Sequence, residues 1–325
     1  MSTRSELLQL LGENRHRYMS GQAIGDSLNV SRNAIWKAIE QLRVDGYDIE
    51  SRPRVGYRLH GGDNMLTVDA VKGHLTRDCK LEVFDSIAST NSYAMGQTLE
   101  ERPLLIVANK QTSGRGRLGR TFFSPASTGI YLTIALKPNF DFDKALYVTM
   151  KAAVAVCKAI EDVADVRAKI KWVNDVYVNG KKVCGILTEA QTNFETGKIN
   201  GLVIGIGINC FANGNMPSEL DGIAGSISNK RNAFSRSKLA ALVFQYVMDG
   251  IDTISDKAFL NEYRHRCMVL GKRIYIHPNL NDEAIKANAI DIDDNGGLVV
   301  EYMEGIHMRE IATITTGEVS IRMVE

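Results

Sequence analysis

The chain has 325 residues, of which 44% are hydrophobic and 24% charged, and its formal net charge is +1. This length exceeds what a single hydrophobic core usually supports, so we expect two or three domains. The small net charge excludes a strongly basic nucleic-acid coat protein, although one small domain can still bind DNA through one face. No apolar run is long enough to predict a membrane span, and the first residues lack an apolar signal core. We therefore expect a cytoplasmic protein.

The five cysteines are widely spaced and form no Cys-x-x-Cys pair, so we expect free, buried thiols in a reducing compartment. The six histidines are also scattered. His265 and Cys267 lie close together, but two candidate ligands do not complete a zinc site. The sequence therefore predicts no metal site built from cysteine and histidine.

Residues 1–63 predict three helices followed by a pair of strands. A leucine-rich helix comes first, a short helix opens at Ser20, and Ser31 is a suitable N-cap for a third helix that ends before Gly46. Residues 47–59 then alternate as a strand pair. This order is typical of a winged helix-turn-helix domain, whose third helix enters the major groove of DNA.

The predicted outer face of the third helix, together with the hairpin, carries side chains suited to DNA. Arginine suits guanine, asparagine suits adenine, and basic hairpin residues suit phosphates. The predicted DNA-binding residues are Arg32, Asn33, Trp36, Lys37, Arg52 and Arg54. Acidic and basic residues nearly balance in this segment, so spacing rather than charge favours DNA over a protein-binding module. Trp36 is also compatible with packing inside the domain.

Residues 64–267 mix hairpins with helices. The predicted elements are strands at 104–108, 129–136, 169–172, 176–178, 181–189 and 199–209, and helical segments at 145–163 and 236–266. Asn179-Gly180 is a strong turn signal for paired strands. This pattern favours an α+β domain with a mixed sheet, and the segment contains neither a dinucleotide-binding nor a P-loop motif.

A glycine- and arginine-rich segment, residues 113–120, lies between two predicted strands and reads Ser-Gly-Arg-Gly-Arg-Leu-Gly-Arg. Glycine lets the backbone approach a ligand closely, and arginine presents a planar fork of donors that matches carboxylate and phosphate oxygens. Similar alternation occurs in disordered RNA-binding tails, but those are long and of low complexity. The single copy between strands predicts an anion-binding loop.

Other polar groups are candidates for the same site. Lys182 lies beyond the Asn174-Asp175 turn, and Asn209 closes an apolar strand. The Ser-Thr-Asn cluster at 89–91 can cap a helix or hold a polar ligand head, and both roles remain open. Lys182 is also compatible with a solvated position.

Several motifs follow one another in a single order. They are the helix-turn-helix pattern, Ser-Thr-Asn, Gln111-Thr-Ser-Gly-Arg-Gly-Arg-Leu-Gly-Arg, Lys-Trp-Val-Asn-Asp, Lys-Val-Cys-Gly-Ile-Leu, Gly-Ile-Gly-Ile-Asn and Gly-Glu-Val-Ser-Ile-Arg. In this order they resemble, over essentially the whole chain, the bifunctional biotin–protein ligases that also repress the biotin operon. The resemblance implies three domains: a winged helix-turn-helix (1–63), an α+β, mixed-sheet ligase domain like class II aminoacyl-tRNA synthetases (64–267) and an SH3-like β-barrel (268–325).

Members of this family join biotin to ATP, giving biotinyl-5′-AMP and pyrophosphate, and then pass biotin to a lysine of a carrier domain. The resemblance therefore implies biotin, ATP and Mg²⁺ as ligands. It implies the biotin carboxyl carrier protein and operator DNA as partners, and no membrane. It also implies a homodimer promoted by biotinyl-AMP.

The resemblance assigns residues to these activities. The implied catalytic residues are Arg115, Arg117, Lys182 and Asp175. The implied biotin-binding residues are Ser89, Thr90, Asn91, Gln111, Arg115, Gly116, Arg117 and Lys182. The implied ATP- or adenylate-binding residues are Arg117, Arg120, Phe122, Asn174, Asn209 and Arg322. A structural role for Asp175, a rim position for Arg120 and a solvated Arg322 remain as alternatives.

Two positions depart from the family pattern. Val173 replaces the usual proline, which we expect to loosen the turn that presents Asn174 and Asp175. Leu118 stands where some members have arginine, so one positive charge of the loop is missing.

Two other functions are compatible with parts of the sequence. A non-catalytic, ligand-sensing repressor would not need Arg115, Arg117 and Lys182, which are all present. A lipoate ligase would explain neither the biotin-type motifs nor the winged helix.

Overall fold

The structure, a computed structural model, describes residues 3–44, 47, 49–59, 64–138, 140, 144–192, 199–212, 214, 216–277, 283–305, 308–315 and 320–323. Over these ranges the strands form sheets of two, seven and five strands. None of the helices in these ranges is long and apolar enough to cross a membrane.

The N-terminal unit consists of three helices and a hairpin, namely α1 (Thr3–Glu13), α2 (Gly21–Leu28), α3 (Arg32–Val44), β1 (Ile49–Arg52) and β2 (Gly56–Leu59). Ser20 and Ser31 begin α2 and α3, because each side chain accepts a hydrogen bond from the backbone N–H three residues later. The helices meet in one core around Ile24, Ile35 and Ile39, which are buried. The predicted helix-turn-helix order followed by a hairpin is confirmed.

The central unit is built on a seven-stranded sheet with the order β3-β4-β5-β9-β8-β7-β6. Its strands are β3 (Lys80–Phe84), β4 (Leu104–Ala108), β5 (Gly129–Leu136), β6 (Ala168–Lys171), β7 (Asp175–Val178), β8 (Lys181–Thr192) and β9 (Ile199–Asn209). The β3–β4 pair is parallel and the other pairs are antiparallel. This arrangement confirms the predicted mixed sheet of an α+β unit.

Helices cover both faces of this sheet. The helices are α4 (Val68–Lys72), α5 (Thr90–Met95), α6 (Ala145–Val163), α7 (Arg236–Asp252) and α8 (Phe259–Arg266). The buried side chains of α6 and α7 join the main core on one face, whereas α5 packs in a smaller cluster on the other. The helical segment predicted at 236–266 contains two helices, separated by a 3-10 turn at Ile254–Asp256. The short helix α5 covers only part of its face of the sheet, which leaves room there for a ligand cavity.

The C-terminal unit is a five-stranded antiparallel sheet with the order β13-β12-β11-β10-β14. Its strands are β10 (Arg273–His277), β11 (Ile285–Ile292), β12 (Leu298–Tyr302), β13 (Ile311–Ile314) and β14 (Ser320–Met323). Its apolar side chains belong to the same core as those of the central sheet. Trp172 Nε1 donates to the Gly296 carbonyl at 3.1 Å, and the Tyr147 hydroxyl donates to the backbone carbonyl of Asp294 at 2.6 Å. The two units are therefore packed together, and the boundary at 267 stays a prediction.

A buried arginine at the start of α7 joins the N-terminal and central units. Arg236 is 2% exposed and donates to the carbonyl of Asn64 (2.6 Å from Nη2), to Asn109 Oδ1 (3.0 Å) and to the carbonyl of Gly129 (2.8 Å). Asn109 Nδ2 in turn donates to the hydroxyl of Tyr47, in the N-terminal unit, at 2.8 Å. Burial lowers the pKa of Arg236, but a guanidinium titrates so high that it remains charged.

We expect Arg236→Met to lower the free energy of unfolding by about 3 kcal/mol, because the buried oxygens bound to the guanidinium lose their donors. Arg77→Met is the control, since Arg77 pairs with Asp249 and Asp252 on the surface, and it should cost about 1 kcal/mol or less. Urea unfolding monitored by tryptophan fluorescence measures both. Equal losses in the two variants would contradict the role given to the buried contacts.

Candidate active site

A cavity of about 360 Å³ opens on the α5 face of the central sheet. Its walls come from the first turn of α5, the loop between β4 and β5, strands β5, β8 and β9, the turn into β7, and the segment 216–224. Residues from distant parts of the chain thus meet in one place, including most of the predicted ligand residues.

The floor of the cavity is bare backbone because of a strand alternation in β9. Ile204, Ile206 and Ile208 alternate in the second half of this strand and are buried in the main core on the opposite face, and the residues between them are Gly205 and Gly207. Gly207 pairs with Gly185 across the β8–β9 ladder. A Cβ atom added at Gly207 would lie 2.5 Å from the ring of Phe122, so glycine is needed for that ring to rest on the sheet.

The glycine–arginine loop forms one wall of the cavity and is joined by hydrogen bonds between its own backbone groups. The amide of Gly116 donates to the carbonyl of Arg120 at 2.7 Å, and that of Phe122 donates to Gly114 at 2.9 Å. A Cβ atom added at Gly114 would overlap the carbonyl oxygen of Phe122. Leu118, at the turn, adopts a left-handed conformation with φ 56° and is 42% exposed. The loop therefore places an apolar side chain at its tip and arginines on both sides.

Two cations line the cavity beside the turn that leads into β7. Lys182 Nζ lies 2.6 Å from Asp175 Oδ1, and Arg117 Nη1 donates to Asn174 Oδ1 at 3.2 Å. Burial lowers the pKa of Arg117, and the charge of Asp175 partly offsets this effect. Asn174 itself is fixed, because its Nδ2 donates to the Ile186 carbonyl at 2.8 Å. The peptide bond between Trp172 and Val173, just before this turn, is cis.

A further cation of the site, Arg115, is held by a carboxylate. Its Nη2 lies 2.9 Å from Glu189 Oε1, on β8. Glu189 shares a face of β8 with Gly185 under the alternation of the strand, but our sequence analysis missed it. That alternation is the signal that could have found it.

Residues 89–91 form the predicted helix cap at the start of α5 and also lie on the wall of the cavity. Ser89 Oγ accepts from the Ser92 amide at 3.3 Å and so caps the helix, while Ser89 and Thr90 also line the cavity. The Thr90 amide and hydroxyl donate to Gln111 Oε1 at 2.8 and 3.1 Å. Gln111 Nε2 donates to Ser124 Oγ at 3.1 Å. A network of short polar side chains therefore forms one end of the cavity.

Asn91 supports this end from below. It is 4% exposed, its Oδ1 accepts from Thr133 Oγ1 at 2.7 Å, and its Nδ2 donates to Glu189 Oε2 at 2.8 Å. A Cβ atom added at Gly205 would overlap the Asn91 amide. Both ends of this side chain are therefore engaged by the protein.

Five of the six predicted nucleotide residues line the cavity, namely Arg117, Arg120, Phe122, Asn174 and Asn209. Asn209 closes β9 and lines the cavity, and Arg120 lines it while remaining exposed. The backbone of Arg322 pairs with Tyr275 in the C-terminal sheet, but the Arg322 side chain lies outside the described part of the structure. Gly116 and Phe122 also line the cavity.

One apolar wall escaped the sequence analysis. It consists of Met216, Leu220, Ile223 and Ala224, from an irregular segment without helical or strand periodicity. The amide of Lys182 donates to the Ile223 carbonyl at 3.0 Å, which fixes this wall against the start of β8. The signal in the sequence that could have indicated this wall is the loss of periodicity between β9 and α7.

The predicted DNA-reading side chains share the outer face of α3. Arg32, Asn33, Trp36 and Lys37 are exposed there, and Trp36 is 53% exposed, which disfavours packing inside the domain. The opposite face of α3 is buried in the core. The helix is thus presented as a free polar surface.

The two arginines of the hairpin differ in their surroundings: Arg52 pairs with a carboxylate of the protein, and Arg54 is exposed at the turn. Arg52 Nε lies 2.9 Å from Glu50 Oε1, and its guanidinium lies 4.7 Å from the centre of the Tyr18 ring. Arg54 is exposed at the turn, with φ 64°.

All five cysteines are free and buried, as predicted. Over the described ranges, no group of three or more His, Cys, Asp or Glu side chains is arranged to hold a metal ion. Each of the carboxylates of Asp175 and Glu189 is occupied by a protein cation instead.

Three family models match successive parts of the chain. Residues 3–58 match the HTH domain, residues 83–209 the biotin/lipoate A/B protein ligase family, and residues 269–322 the biotin protein ligase C-terminal domain. The chain thus combines a helix-turn-helix with the two parts of a ligase of the biotin and lipoate class.

Two BirA proteins match nearly the whole chain, and one solved ligase matches three quarters of it. The bifunctional ligase/repressor BirA of Bacillus subtilis strain 168 is 33% identical over 97% of this chain and 98% of its own length. BirA of Escherichia coli K12 is 27% identical over 95% and 94%. The solved biotin protein ligase of Aquifex aeolicus in complex with biotin and ATP is 26% identical, with a TM-score of 0.63, over 75% of this chain and 99% of that one. The chain belongs to the BirA family of bifunctional ligase/repressors.

Proposed function

We propose that this protein activates biotin with ATP to biotinyl-5′-AMP and transfers the biotinyl group to a lysine of a biotin carboxyl carrier protein. With biotinyl-AMP bound, it binds operator DNA and represses genes for biotin synthesis or transport. The observation that carries the catalytic part is the meeting of Lys182, Arg117 and the hydrogen-bonded pair of Thr90 and Gln111 in one cavity of a BirA-family chain.

The activation step brings two anions together. A biotin carboxylate oxygen attacks the α-phosphorus of ATP, a new P–O bond forms, and the bond to pyrophosphate breaks. Arg117 and Arg115 reduce the repulsion and stabilise the charge that develops on the phosphoryl oxygens. Lys182 donates to the carboxylate and, after the step, to the acyl-phosphate carbonyl. Its contact with Asp175 places the ammonium at the cavity wall before substrates arrive.

The two ends of the cavity suit the two halves of the intermediate. Ser89, Thr90 and Gln111 offer small polar groups for the ureido ring of biotin, above the buried Asn91. On the other side, Phe122, Asn174 and Asn209 take the nucleotide, with Phe122 stacked against the adenine, and Arg120 lies at the rim. Gly114, Gly116 and the rest of the loop close over the bound intermediate.

Mg²⁺ fits this site as an ion carried on the phosphates of ATP, because both nearby carboxylates are paired with protein cations. When bound, it would neutralise phosphate charge. Phosphate oxygens are its preferred ligands, so the protein need not supply a cluster of carboxylates.

In the transfer step the carrier lysine attacks the acyl carbonyl, a C–N bond forms, and AMP leaves. Asp175 accepts the proton of the attacking amine, if its contact with Lys182 yields when the intermediate binds. Because the mixed anhydride is already activated, no nucleophile of the enzyme is required.

For the regulatory part, the exposed face of α3 supplies the DNA contacts, with Arg32 and Asn33 at base edges. Trp36, Lys37, Arg52 and Arg54 complete the contact surface. Ordering of the loop on biotinyl-AMP favours a symmetric dimer, whose two winged helices bind two half-sites. In this proposal the central domain (64–267) is like that of class II synthetases, and the C-terminal domain (268–325) is an SH3-like barrel.

We expect Lys182→Ala to lower biotin-dependent exchange of labelled pyrophosphate into ATP by about 100-fold or more, because a donor to the reacting oxygens is lost. Lys181→Ala is the matched control, since this neighbouring lysine is exposed and does not line the cavity. It should retain exchange within about twofold of the original rate. Unchanged exchange in Lys182→Ala would refute the role of Lys182.

We expect Arg32→Ala to weaken operator binding about tenfold or more, because an arginine–guanine contact contributes about 1–3 kcal/mol. The operator is first selected from random duplexes with biotin and ATP present, and affinity is then measured by fluorescence anisotropy. Arg102→Ala, an exposed arginine of the central unit, serves as the control. If neither the operator affinity nor the oligomeric state measured by sedimentation changes when biotin and ATP are added, the regulatory part is contradicted.

A further inference from the structure

Glu189 contacts two residues of the proposed biotin site although it has no part in the chemistry assigned above. Its side chain is 20% exposed and projects from β8 on the cavity side of the sheet. One carboxylate oxygen accepts from the buried amide of Asn91, and the other lies 2.9 Å from Arg115. A single carboxylate therefore joins α5, the glycine–arginine loop and β8.

The two contacts differ in how firmly they are held. Asn91 is 4% exposed and is fixed by Thr133 and by the close approach of Gly205, so this contact anchors Glu189 to the sheet. The Arg115 side chain is 48% exposed and belongs to a loop with several glycines. The rigid contact therefore defines where the mobile one can be made.

We propose that Glu189 is a positioning residue that fastens the glycine–arginine loop to the sheet through Arg115. This inference rests on the proposed biotin site. The wall formed by the loop includes Arg115 and Gly116, and the wall formed by the start of α5 includes Ser89 and Thr90. Holding the Arg115 guanidinium on Glu189 sets the distance between these two walls, and so the width of the end that takes biotin.

The loop arginines also have different partners in the protein. Arg117 contacts Asn174 and Lys182 contacts Asp175, both at the turn into β7, whereas Arg115 contacts Glu189, which is anchored to Asn91. Loss of Glu189 should therefore affect biotin more than ATP. A general defect of folding would affect both substrates alike.

Glu189→Gln tests this role, because the amide oxygen of glutamine can still accept from Asn91 while its NH₂ group cannot accept from Arg115. We expect the biotin concentration for half-maximal pyrophosphate exchange to rise about tenfold, and that for ATP to change less than about twofold. Glu82→Gln is the matched control. Glu82 is 21% exposed and also accepts from a residue of α5, the hydroxyl of Tyr93, but it does not line the cavity.

A double-mutant cycle shows whether Glu189 acts through Arg115. Arg115→Met removes the donor, and combining it with Glu189→Gln should give the same biotin requirement as Arg115→Met alone, within about twofold. Effects of the two substitutions that multiply in the double variant would overturn the inference. So would a Glu189→Gln variant with the original biotin requirement.

Trypsin supplies a second measurement that does not need activity. The loop contains three arginines, so a loosened loop should be cleaved at residues 115–120 several times faster in Glu189→Gln than in Glu82→Gln. Equal cleavage would overturn the tether. Absence of biotin-dependent exchange in the unmodified protein would instead refute the proposed function, and the cleavage rates would still decide whether Glu189 holds the loop.

Discussion

The arrangement of the site depends on one buried guanidinium, that of Arg236. Its donors are fixed on Asn64, the first described residue after β2, and on Asn109 and Gly129, which flank the segment containing the glycine–arginine loop. Burying this charge costs several kcal/mol unless its donors are satisfied, so the three oxygens must remain together. Both ends of the segment and the junction between units are thereby held at one point. The middle of the segment is left to adapt to a ligand.

Within that frame, one strand creates both the core and the site. In β9, isoleucines fill the core beneath α6 and α7, while Gly205 and Gly207 leave the other face bare. The space above them is filled by the side chain of Asn91 and the ring of Phe122. Each of these two side chains supports one end of the cavity. The loop then closes the cavity by placing Arg115 against Glu189 of β8 and Arg117 against Asn174 in the turn before β7. A lysine, two arginines and a group of small hydroxyl and amide side chains form a site suited to joining a carboxylate to a phosphate.

Periodicity in the sequence was sufficient for the regular elements. The strands at 104–108, 129–136 and 199–209 and the helix at 145–163 coincide with β4, β5, β9 and α6, because each is a long apolar or alternating run between turn signals. The arginines of the glycine-rich loop, Lys182, Asn209 and residues 89–91 were candidates from polar or charged motifs, whereas the other predicted site residues came from the resemblance to the family. Glu189 and the apolar wall near Ile223 were missed, because their importance comes from contacts between distant parts of the chain. The contact between Arg115 and Glu189 likewise depends on the register of β8 and β9.

The central claim is that this cavity activates biotin and delivers it to a carrier protein. The most direct measurement is the intact mass of a biotin carboxyl carrier domain after incubation with the full chain, biotin, ATP and Mg²⁺. The account predicts the addition of one biotinyl group to a single lysine, dependent on ATP. An unchanged mass, or the same addition without ATP, would contradict it.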